Sequence, residues 1–125
     1  MKDEEKIAIV SRSHAGNVAA FLSNSSFERW KVVTAGGSGY KALRVLNGTA
    51  NMYIHVTDIK LWDLCAPNAI IRAAKGWMTN LDGLDISFGS QGSTVNERGV
   101  LVTRSHHFYY LSKIIPHVDV LLSKN

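Results

Sequence analysis

The feature that most constrains the fold is a regular alternation of short β-branched segments with longer amphipathic ones. The strand-like segments read "KIAIVSRS", "WKVVTA", "ANMYIHV" and "GVLVT". A helical pattern such as "YKALRVLNG" follows the second strand, with Leu43 and Leu46 predicted to face inward and Gly48 at its end. Strands that alternate with helices of this length are joined by crossover connections. The sequence therefore predicts an α/β fold, with a layered sheet flanked by helices.

Four further segments complete the predicted order of elements. "AGNVAAFLSNSS" predicts a helix after the first strand, and "DLCAPNAIIRAAKG" predicts the longest helix, which Gly76 ends. "WMTNLDGLDISF" predicts a hairpin that turns at Asp82 and Gly83. "HHFYYLSKIIPHVDVLL" predicts two closing helical segments that separate at Pro116.

The composition is typical of one compact domain spanning residues 1–125. Of the 125 residues, 46% are hydrophobic and 19% are charged, which is enough apolar material for a core. The longest apolar runs fall short of the roughly 18 residues that a membrane span needs. The net charge is +4, but Lys and Arg are scattered, which favours an ordinary surface over binding of a nucleic acid polymer. A single cysteine, Cys65, rules out an internal disulfide and a cysteine-based zinc site.

Polar residues follow three of the predicted strands, where ligands of α/β sheets gather. These stretches are "SRSH" (residues 11–14), "GGSGYK" (36–41) and "HVTDIKLWD" (55–63). In the second stretch, glycines let backbone N–H groups approach an anion, and the next helix points its positive end at the same place. Lys41 adds a formal charge. The spacing is neither that of the P-loop nor that of the dinucleotide fingerprint, and an ordinary glycine-rich turn is the alternative.

Asp63 stands at the start of the longest predicted helix, between Trp62 and Leu64. We expect these apolar neighbours to desolvate its carboxylate partially, which favours a nearby cation; a plain helix cap is the alternative. Because proline is harmless only in the first turn, Pro67 predicts that the helix starts at or shortly after Asp63. One carboxylate does not hold magnesium alone, since such sites combine carboxylates with water and substrate phosphate.

Taken together, these motifs resemble the C-terminal half of the inositol monophosphatase family. The resemblance covers nearly the whole chain and includes a Trp-Asp-x-x-Ala segment that leads into a helix, a closing glycine and a Thr-x-x-x-Gly strand. In this chain those positions are Trp62, Asp63, Ala66, Gly76, Thr79 and Gly83. "SRSH", "GGSGYK" and "WDLCAPNAI" are most similar to the bisphosphate nucleotidase branch, which removes the 3′-phosphate from 3′-phosphoadenosine 5′-phosphate.

The resemblance implies roles for six residues and a Mg²⁺ cofactor. Asp63 matches a family aspartate that ligates magnesium and helps to position the attacking water. The positions that match substrate-binding residues are His14, Gly37, Ser38, Lys41 and His55. His14 would lie against the nucleotide, and Ser38 and Lys41 near its 5′-phosphate. For His14 and His55 a hydrogen-bonded scaffold role is the alternative, and a relative carries arginine near the position of His55.

The remaining family ligands, a glutamate and an Asp-Pro-Leu-Asp-Gly type loop with a threonine, have no counterpart here. The resemblance therefore implies a nucleotide-binding C-terminal half without the N-terminal metal-binding half, inactive by itself. Its partners would be a small phosphate substrate and either the missing half or a second copy. An inositol phosphate substrate and a non-catalytic interaction domain are the alternatives.

The compartment is predicted from the same resemblance and from two glycosylation sequons. The sequons are Asn24-Ser25-Ser26 and Asn47-Gly48-Thr49. "YIHVTDIKLWD" is nearest in pattern to the Golgi-resident phosphatases of the nucleotidase branch, which implies the Golgi lumen. A cytoplasmic location follows if the chain belongs with the cytosolic nucleotidases.

Overall fold

A five-stranded mixed sheet lies between two layers of helices in the computed structural model, which describes residues 5–12, 16–23, 29–88 and 94–122. The strands are β1 (Glu5–Ser11), β2 (Arg29–Ala35), β3 (Met52–His55), β4 (Ile59–Lys60), β5 (Trp77–Thr79), β6 (Val95–Asn96) and β7 (Val100–Thr103). The helices are α1 (Gly16–Ser23), α2 (Ser38–Leu46), α3 (Trp62–Ala73), α4 (His107–Ile114) and α5 (Val118–Leu121). This architecture confirms the predicted α/β class.

The strand directions determine where the loops meet. The strand order is β2-β1-β3-β7-β5, and β1 runs parallel to both β2 and β3. β7 is antiparallel to β3, and β5 is antiparallel to β7, so β5 points the same way as β3. The carboxyl ends of β1, β2, β3 and β5 therefore lie along one edge of the sheet.

The sheet separates two hydrophobic cores, because successive side chains of a strand point to opposite faces. Ala8 and Met52 pack with α1, α4 and α5 on one face, in a core that includes Leu111 and Ile114. On the other face, Ile9, Tyr53, Val100 and Val102 pack with residues of α2 and α3 such as Val45, Leu64 and Ile71. The predicted helices thus divide between both faces, with α2 and α3 side by side on one of them. The prediction that Leu43 faces inward is wrong: Leu43 is 50% exposed, because Ala42 and Val45 take the positions of α2 that pack on the sheet.

The predicted hairpin over 77–88 is wrong. β5 pairs with β7 instead, in the register Trp77↔Thr103, and residues 84–88 form no strand. The Asp82-Gly83 turn does exist, closed by a hydrogen bond from the Asn80 amide to the Leu84 carbonyl. All four side chains of β7 are buried, so this strand pairs β5 within the core. The segment predicted to pair with β5 begins at Leu84, which is exposed.

Two other features bear on the sequence predictions. β4 and β6 form a two-stranded sheet that no pattern predicted, because two residues are too few to show periodicity. The two closing helices are present, separated by a 3₁₀ turn over Ile115–His117 that contains Pro116. Within the described ranges, every helix is too short or too polar to cross a lipid bilayer.

His107 connects two strands to α4 from inside the structure. It is 2% exposed, its Nε2 lies 2.8 Å from the Thr79 hydroxyl oxygen and its Nδ1 lies 2.9 Å from that of Thr103. Burial, and secondarily the positive charge of Arg72, lowers the pKa of His107 to about 4. The folded protein therefore holds this imidazole neutral, with one nitrogen donating and the other accepting.

We expect acid to destabilise the protein through His107. As the pH falls, the unfolded chain takes up this proton near 6.5, whereas the folded protein takes it up only near 4. The contribution of neutral His107 to the free energy of unfolding is therefore complete above pH 6.5. It decreases by on the order of 3 kcal/mol as the pH falls toward 4. Urea unfolding across this range measures the slope. His107→Gln should flatten it, exposed His117→Gln should retain it, and an equal slope in both variants would contradict the assignment.

Candidate functional site

The loop between β2 and α2 presents backbone at the carboxyl edge of the sheet. Gly37 precedes α2 with a φ of 80°, a conformation that strains any residue with a Cβ. Its carbonyl accepts the Lys41 amide at 3.1 Å, which closes the first turn. A Cβ built on Gly39 would meet nothing within 4 Å. The N–H groups of residues 38–40, at the start of α2, have no acceptor within the helix.

Lys41 lies beneath this loop. The residue is only 2% exposed, and its Nζ donates to the Ala35 carbonyl at 3.1 Å. The same nitrogen lies 5.2 Å from the centroid of the Tyr53 ring. Burial, and next the positive charge of Arg12, lowers the pKa of Lys41. The ammonium thus supplies positive potential from behind the loop, where a ligand that touched it directly would first have to displace its protein contacts.

Ser38 joins the start of α2 to the start of α3. Its hydroxyl donates to the backbone carbonyl of Asp63 at 2.6 Å. In an unbroken helix that carbonyl would accept the N–H of residue 67, but Pro67 has none. The expectation that Pro67 lies in the first turn is therefore wrong: α3 begins at Trp62, and Ser38 fills the resulting gap.

Tyr53 and His55 lie on β3 and face the same layer of helices. The Tyr53 hydroxyl is 3.5 Å from His55 Nδ1, and the Thr57 hydroxyl is 3.0 Å from His55 Nε2. Burial, followed by the negative charge of Asp63, raises the pKa of Tyr53. Both ring nitrogens of His55 therefore contact protein oxygens, which is the arrangement of a scaffold histidine.

Arg12 brings a second cation to this edge. It follows β1 directly, is exposed, and its Nη1 lies 3.7 Å from where a Cβ on Gly36 would stand. Arg12 was not among the predicted site residues, although it lies in the "SRSH" stretch that marks the end of β1. Its proximity to Gly36 depends on the parallel pairing of β1 with β2, which the sequence shows only as alternation.

The Asp63 carboxylate is exposed, contrary to the expectation of partial desolvation. Consecutive helical residues project about 100° apart, so Trp62 does not cover it and is itself 67% exposed. Asp63 lies in the first turn of α3 without a side-chain cap bond, while Leu61 takes the cap position. Among the residues that the structure describes, none forms a hydrogen bond or ion pair with this carboxylate.

As a magnesium ligand, Asp63 offers the correct donor chemistry, a hard anionic oxygen open to solvent. Within the described part of the chain, no group of three or more His, Cys, Asp or Glu side chains is placed to hold a metal. Asp63 thus fits one coordination position, and any such site needs further oxygen ligands.

The structure brings together four of the predicted residues through direct contacts and short loops: Gly37, Ser38, Lys41 and Asp63. His55 joins this cluster through Tyr53, whose ring contacts Lys41 and whose pKa responds to Asp63. His14 lies outside the described residues. The result is an α/β domain whose cations, helix N-terminus and carboxylate meet at the carboxyl ends of three adjacent strands.

Comparison with known proteins identifies the family of this domain. Residues 3–119 match the model of the inositol monophosphatase family. The sequence is 46% identical over 123 residues to inositol monophosphatase 3 of Xenopus laevis, covering 93% of this chain and 34% of that protein. It is 40% identical over 117 residues to the Golgi-resident adenosine 3′,5′-bisphosphate 3′-phosphatase of Mus musculus, covering 89% and 32%. The chain belongs to the inositol monophosphatase family and spans about a third of the length of these curated relatives.

Solved structures give the same fold. SaIMPase-II, in a structure with bound 2′AMP, superposes with a TM-score of 0.70 at 17% identity, covering 98% of this chain and 46% of that one. CysQ from Bacteroides thetaiotaomicron, a bacterial member of the same family, gives a TM-score of 0.66 at 20% identity, covering 85% and 40%. The layered sheet is therefore the fold of this part of the family.

The bond between Ser38 and Asp63 predicts an energetic coupling between Ser38 and Pro67. Ser38→Ala should cost about 1 kcal/mol of unfolding free energy, because it leaves the Asp63 carbonyl without a donor. In a Pro67→Ala background the new N–H of residue 67 reaches that carbonyl, so Ser38→Ala should cost much less. Urea unfolding of the four proteins gives the coupling.

Ser112 provides the matched control, since its hydroxyl also donates to a backbone carbonyl, that of Tyr109 at 2.6 Å. Ser112→Ala should cost the same with and without Pro67. An equal cost of Ser38→Ala in both backgrounds would refute the proposed replacement of the missing helical bond.

Proposed function

We propose that this chain is the nucleotide-binding part of a magnesium-dependent phosphomonoesterase. Its reaction would be hydrolysis of the 3′-phosphate of 3′-phosphoadenosine 5′-phosphate to give AMP. The observation that carries the proposal is the convergence of the α2 N-terminus, Arg12 and Lys41 with the Asp63 carboxylate at one sheet edge. The 40% identity to a mouse adenosine 3′,5′-bisphosphate 3′-phosphatase supports the substrate.

Anion binding would rest on a phosphate cradle, formed by the backbone of "GGSGYK" (residues 36–41) and the two cations around it, Arg12 and Lys41. The N–H groups of residues 38–40 have no acceptor within α2, and the positive end of the helix favours a phosphate there. Arg12 is exposed beside Gly36 and offers planar donors that match phosphate oxygens. Lys41 adds potential from below without leaving the Ala35 carbonyl. In this arrangement Gly37 is a backbone ligand, and His14 contacts the nucleotide as the family resemblance implies.

The metal site would include Asp63. Bound magnesium supplies neutralisation of phosphate charge and a more acidic bound water. Ser38 fixes the start of α3 against the start of α2, so it keeps the carboxylate at a constant distance from the phosphate cradle. We therefore assign Ser38 as a positioning residue. His55 has the same role through Tyr53, whose ring lies under the Lys41 ammonium.

The remaining metal ligands would come from a second polypeptide segment that packs on α2 and α3. These helices form an apolar groove lined by Gly39, Ala42, Leu43, Leu46, Ala66, Pro67 and Ile70. Leu43 and Ile70 are half exposed, at 50% and 48%. Gly39 follows Ser38 directly and Pro67 lies one helical turn after Asp63, so the groove begins near the candidate site. A segment seated there could extend carboxylates toward Asp63, and the curated relatives are about three times as long as their match to this chain.

Hydrolysis of an inositol monophosphate is the second candidate function. The observation that favours it is the 46% identity to inositol monophosphatase 3 of Xenopus laevis, which exceeds the identity to the mouse nucleotidase. Both reactions would use the same phosphate cradle and metal ligand, and they differ in what surrounds the phosphate. We also propose a Golgi lumenal location, since the mouse and rat relatives are named as Golgi-resident.

The phosphate cradle predicts how charge substitutions change ligand binding. Without metal we expect weak binding of adenosine 3′,5′-bisphosphate, because the cradle alone provides it. Arg12→Ala should weaken it by about one to two orders of magnitude, the equivalent of one charge-assisted hydrogen bond. Lys41→Met, which retains the apolar stem, should also weaken binding. Asp63→Asn should leave it unchanged or strengthen it, because the carboxylate repels phosphate.

Titration calorimetry measures these affinities, with inositol 1-phosphate as the comparison ligand. Arg104→Ala is the control, since Arg104 follows β7 and β7 ends at the opposite edge of the sheet. Unchanged affinity in both Arg12→Ala and Lys41→Met would end the proposal. Tighter binding of inositol 1-phosphate would transfer the substrate assignment to the second candidate.

The incomplete ligand set predicts that this chain by itself does not turn over substrate with magnesium. Adding the part of the mouse relative that lies outside its match to this chain should restore phosphate release, and Asp63→Asn should abolish it. Leu43→Asp and Ile70→Asp should prevent association, whereas Val120→Asp, at a residue 71% exposed on α5, should not. Phosphate release and size-exclusion chromatography provide the readouts. Full turnover by the chain alone, or self-association through the groove as a dimer, would contradict the arrangement.

A further inference from the structure

The turn after α2 contains a tripeptide that the proposed reaction does not use. Asn47, Gly48 and Thr49 are all exposed, and Gly48 has a φ of 86°, so the chain reverses sharply here. The Thr49 amide donates to Arg44's carbonyl at 3.0 Å, which fixes the turn to the end of the helix. This is a defined surface turn with the sequence pattern of an N-glycosylation acceptor.

The side chain of Asn47 is held by its oxygen alone. Its Oδ1 accepts the Thr49 amide at 3.0 Å and the Thr49 hydroxyl at 2.7 Å. Within the described ranges, its Nδ2 donates no hydrogen bond. The reactive nitrogen therefore points away from the bonds that hold the turn, and a substituent on it leaves both of those bonds in place.

The surroundings of the turn are polar and open. The nearest atom to a Cβ placed on Gly48 would be Arg104 Nη1, at 3.4 Å, which is the flexible end of a surface side chain. Asn47 also lies at the opposite end of α2 from Ser38, about 13 Å away along a helix of this length. A large hydrophilic group at this turn would thus extend into solvent and leave the phosphate cradle uncovered.

We propose that Asn47 is a modification site that carries an N-linked glycan. Asn47 Nδ2 would form a bond to the anomeric carbon of a lipid-diphosphate-linked oligosaccharide. The bond between that carbon and the diphosphate oxygen breaks, the lipid diphosphate leaves with the electron pair, and Nδ2 loses one proton. The Thr49 hydroxyl completes the acceptor pattern. The natural occurrence of this step rests on the Golgi lumenal location proposed above.

The test places the whole chain behind a cleavable secretory signal and translates it with microsomes. Asn24→Gln removes the other sequon, so any remaining glycan has Asn47 as its acceptor. We expect one mass shift that peptide-N-glycosidase removes. Adding Thr49→Ala should abolish the shift, and Thr49→Ser, which retains the hydroxyl, should preserve it. Because this signal is cleaved only in the lumen, its loss shows translocation whether or not a variant folds.

Peptide mapping gives an independent readout. Trypsin cleaves after Arg44 and Lys60, and residues 45–60 contain one sequon. Peptide-N-glycosidase in water labelled with oxygen-18 should convert glycosylated Asn47 to Asp that carries the label. A sample incubated in the same water without the enzyme controls for spontaneous deamidation at Asn-Gly. A translocated Asn24→Gln chain without the shift, or a shift that survives Thr49→Ala, would overturn the proposal. The added signal makes this result independent of the natural compartment, which is determined separately by localising the unmodified chain.

Discussion

The hydrogen bond from the Ser38 hydroxyl to the Asp63 carbonyl determines how the two halves of the candidate site are arranged. It is possible because Pro67 removes the donor that a regular helix would direct at that carbonyl. The carbonyl that lacks its helical hydrogen bond in α3 thus becomes the acceptor through which α2 is joined to α3. The proposed phosphate cradle at the start of α2 and the carboxylate at the start of α3 are held together by this bond, and each depends on the other element for its position.

The buried side chain of Lys41 supports the glycine-rich loop from the protein interior. The ammonium donates to the carbonyl at the end of β2 and lies over the Tyr53 ring, so it braces the loop from inside. Its charge still acts on the edge above, since buried charges are screened less than exposed ones. Positioning and electrostatics are therefore combined in one side chain, while Arg12 provides the exposed cation.

The groove between α2 and α3 lies near Asp63, which we propose as a metal ligand. One face of each helix packs on the sheet, and the outer faces leave Leu43 and Ile70 half exposed around an apolar groove. Contiguous exposed apolar surface marks interaction sites in soluble proteins. An isolated carboxylate beside such a surface is consistent with the proposal that a second segment completes the site.

The errors made from the sequence had two sources: long-range strand pairing that competed with local pattern, and helix geometry that separates neighbours in sequence. "WMTNLDGLDISF" contains a favourable turn sequence at Asp82-Gly83. Pairing with the fully buried β7 nevertheless stabilises β5 more than pairing with residues 84–88 would. Trp62 and Asp63 are neighbours in sequence, yet a helix turns them apart. The two-residue strands β4 and β6 pair across more than thirty positions and leave no periodic signal.

What the sequence determined by itself was the alternation of elements and the polar stretches at strand ends. Those properties follow from local periodicity and from Gly and Pro, which act within a few residues. Only the tertiary structure decided that Lys41 is buried, that Ser38 bonds to Asp63 and that Arg12 lies beside Gly36. Each of those contacts joins residues brought together by the parallel pairing of β1 with β2 and β3 or by the packing of helices on the sheet, and neither process leaves a local signal in the chain.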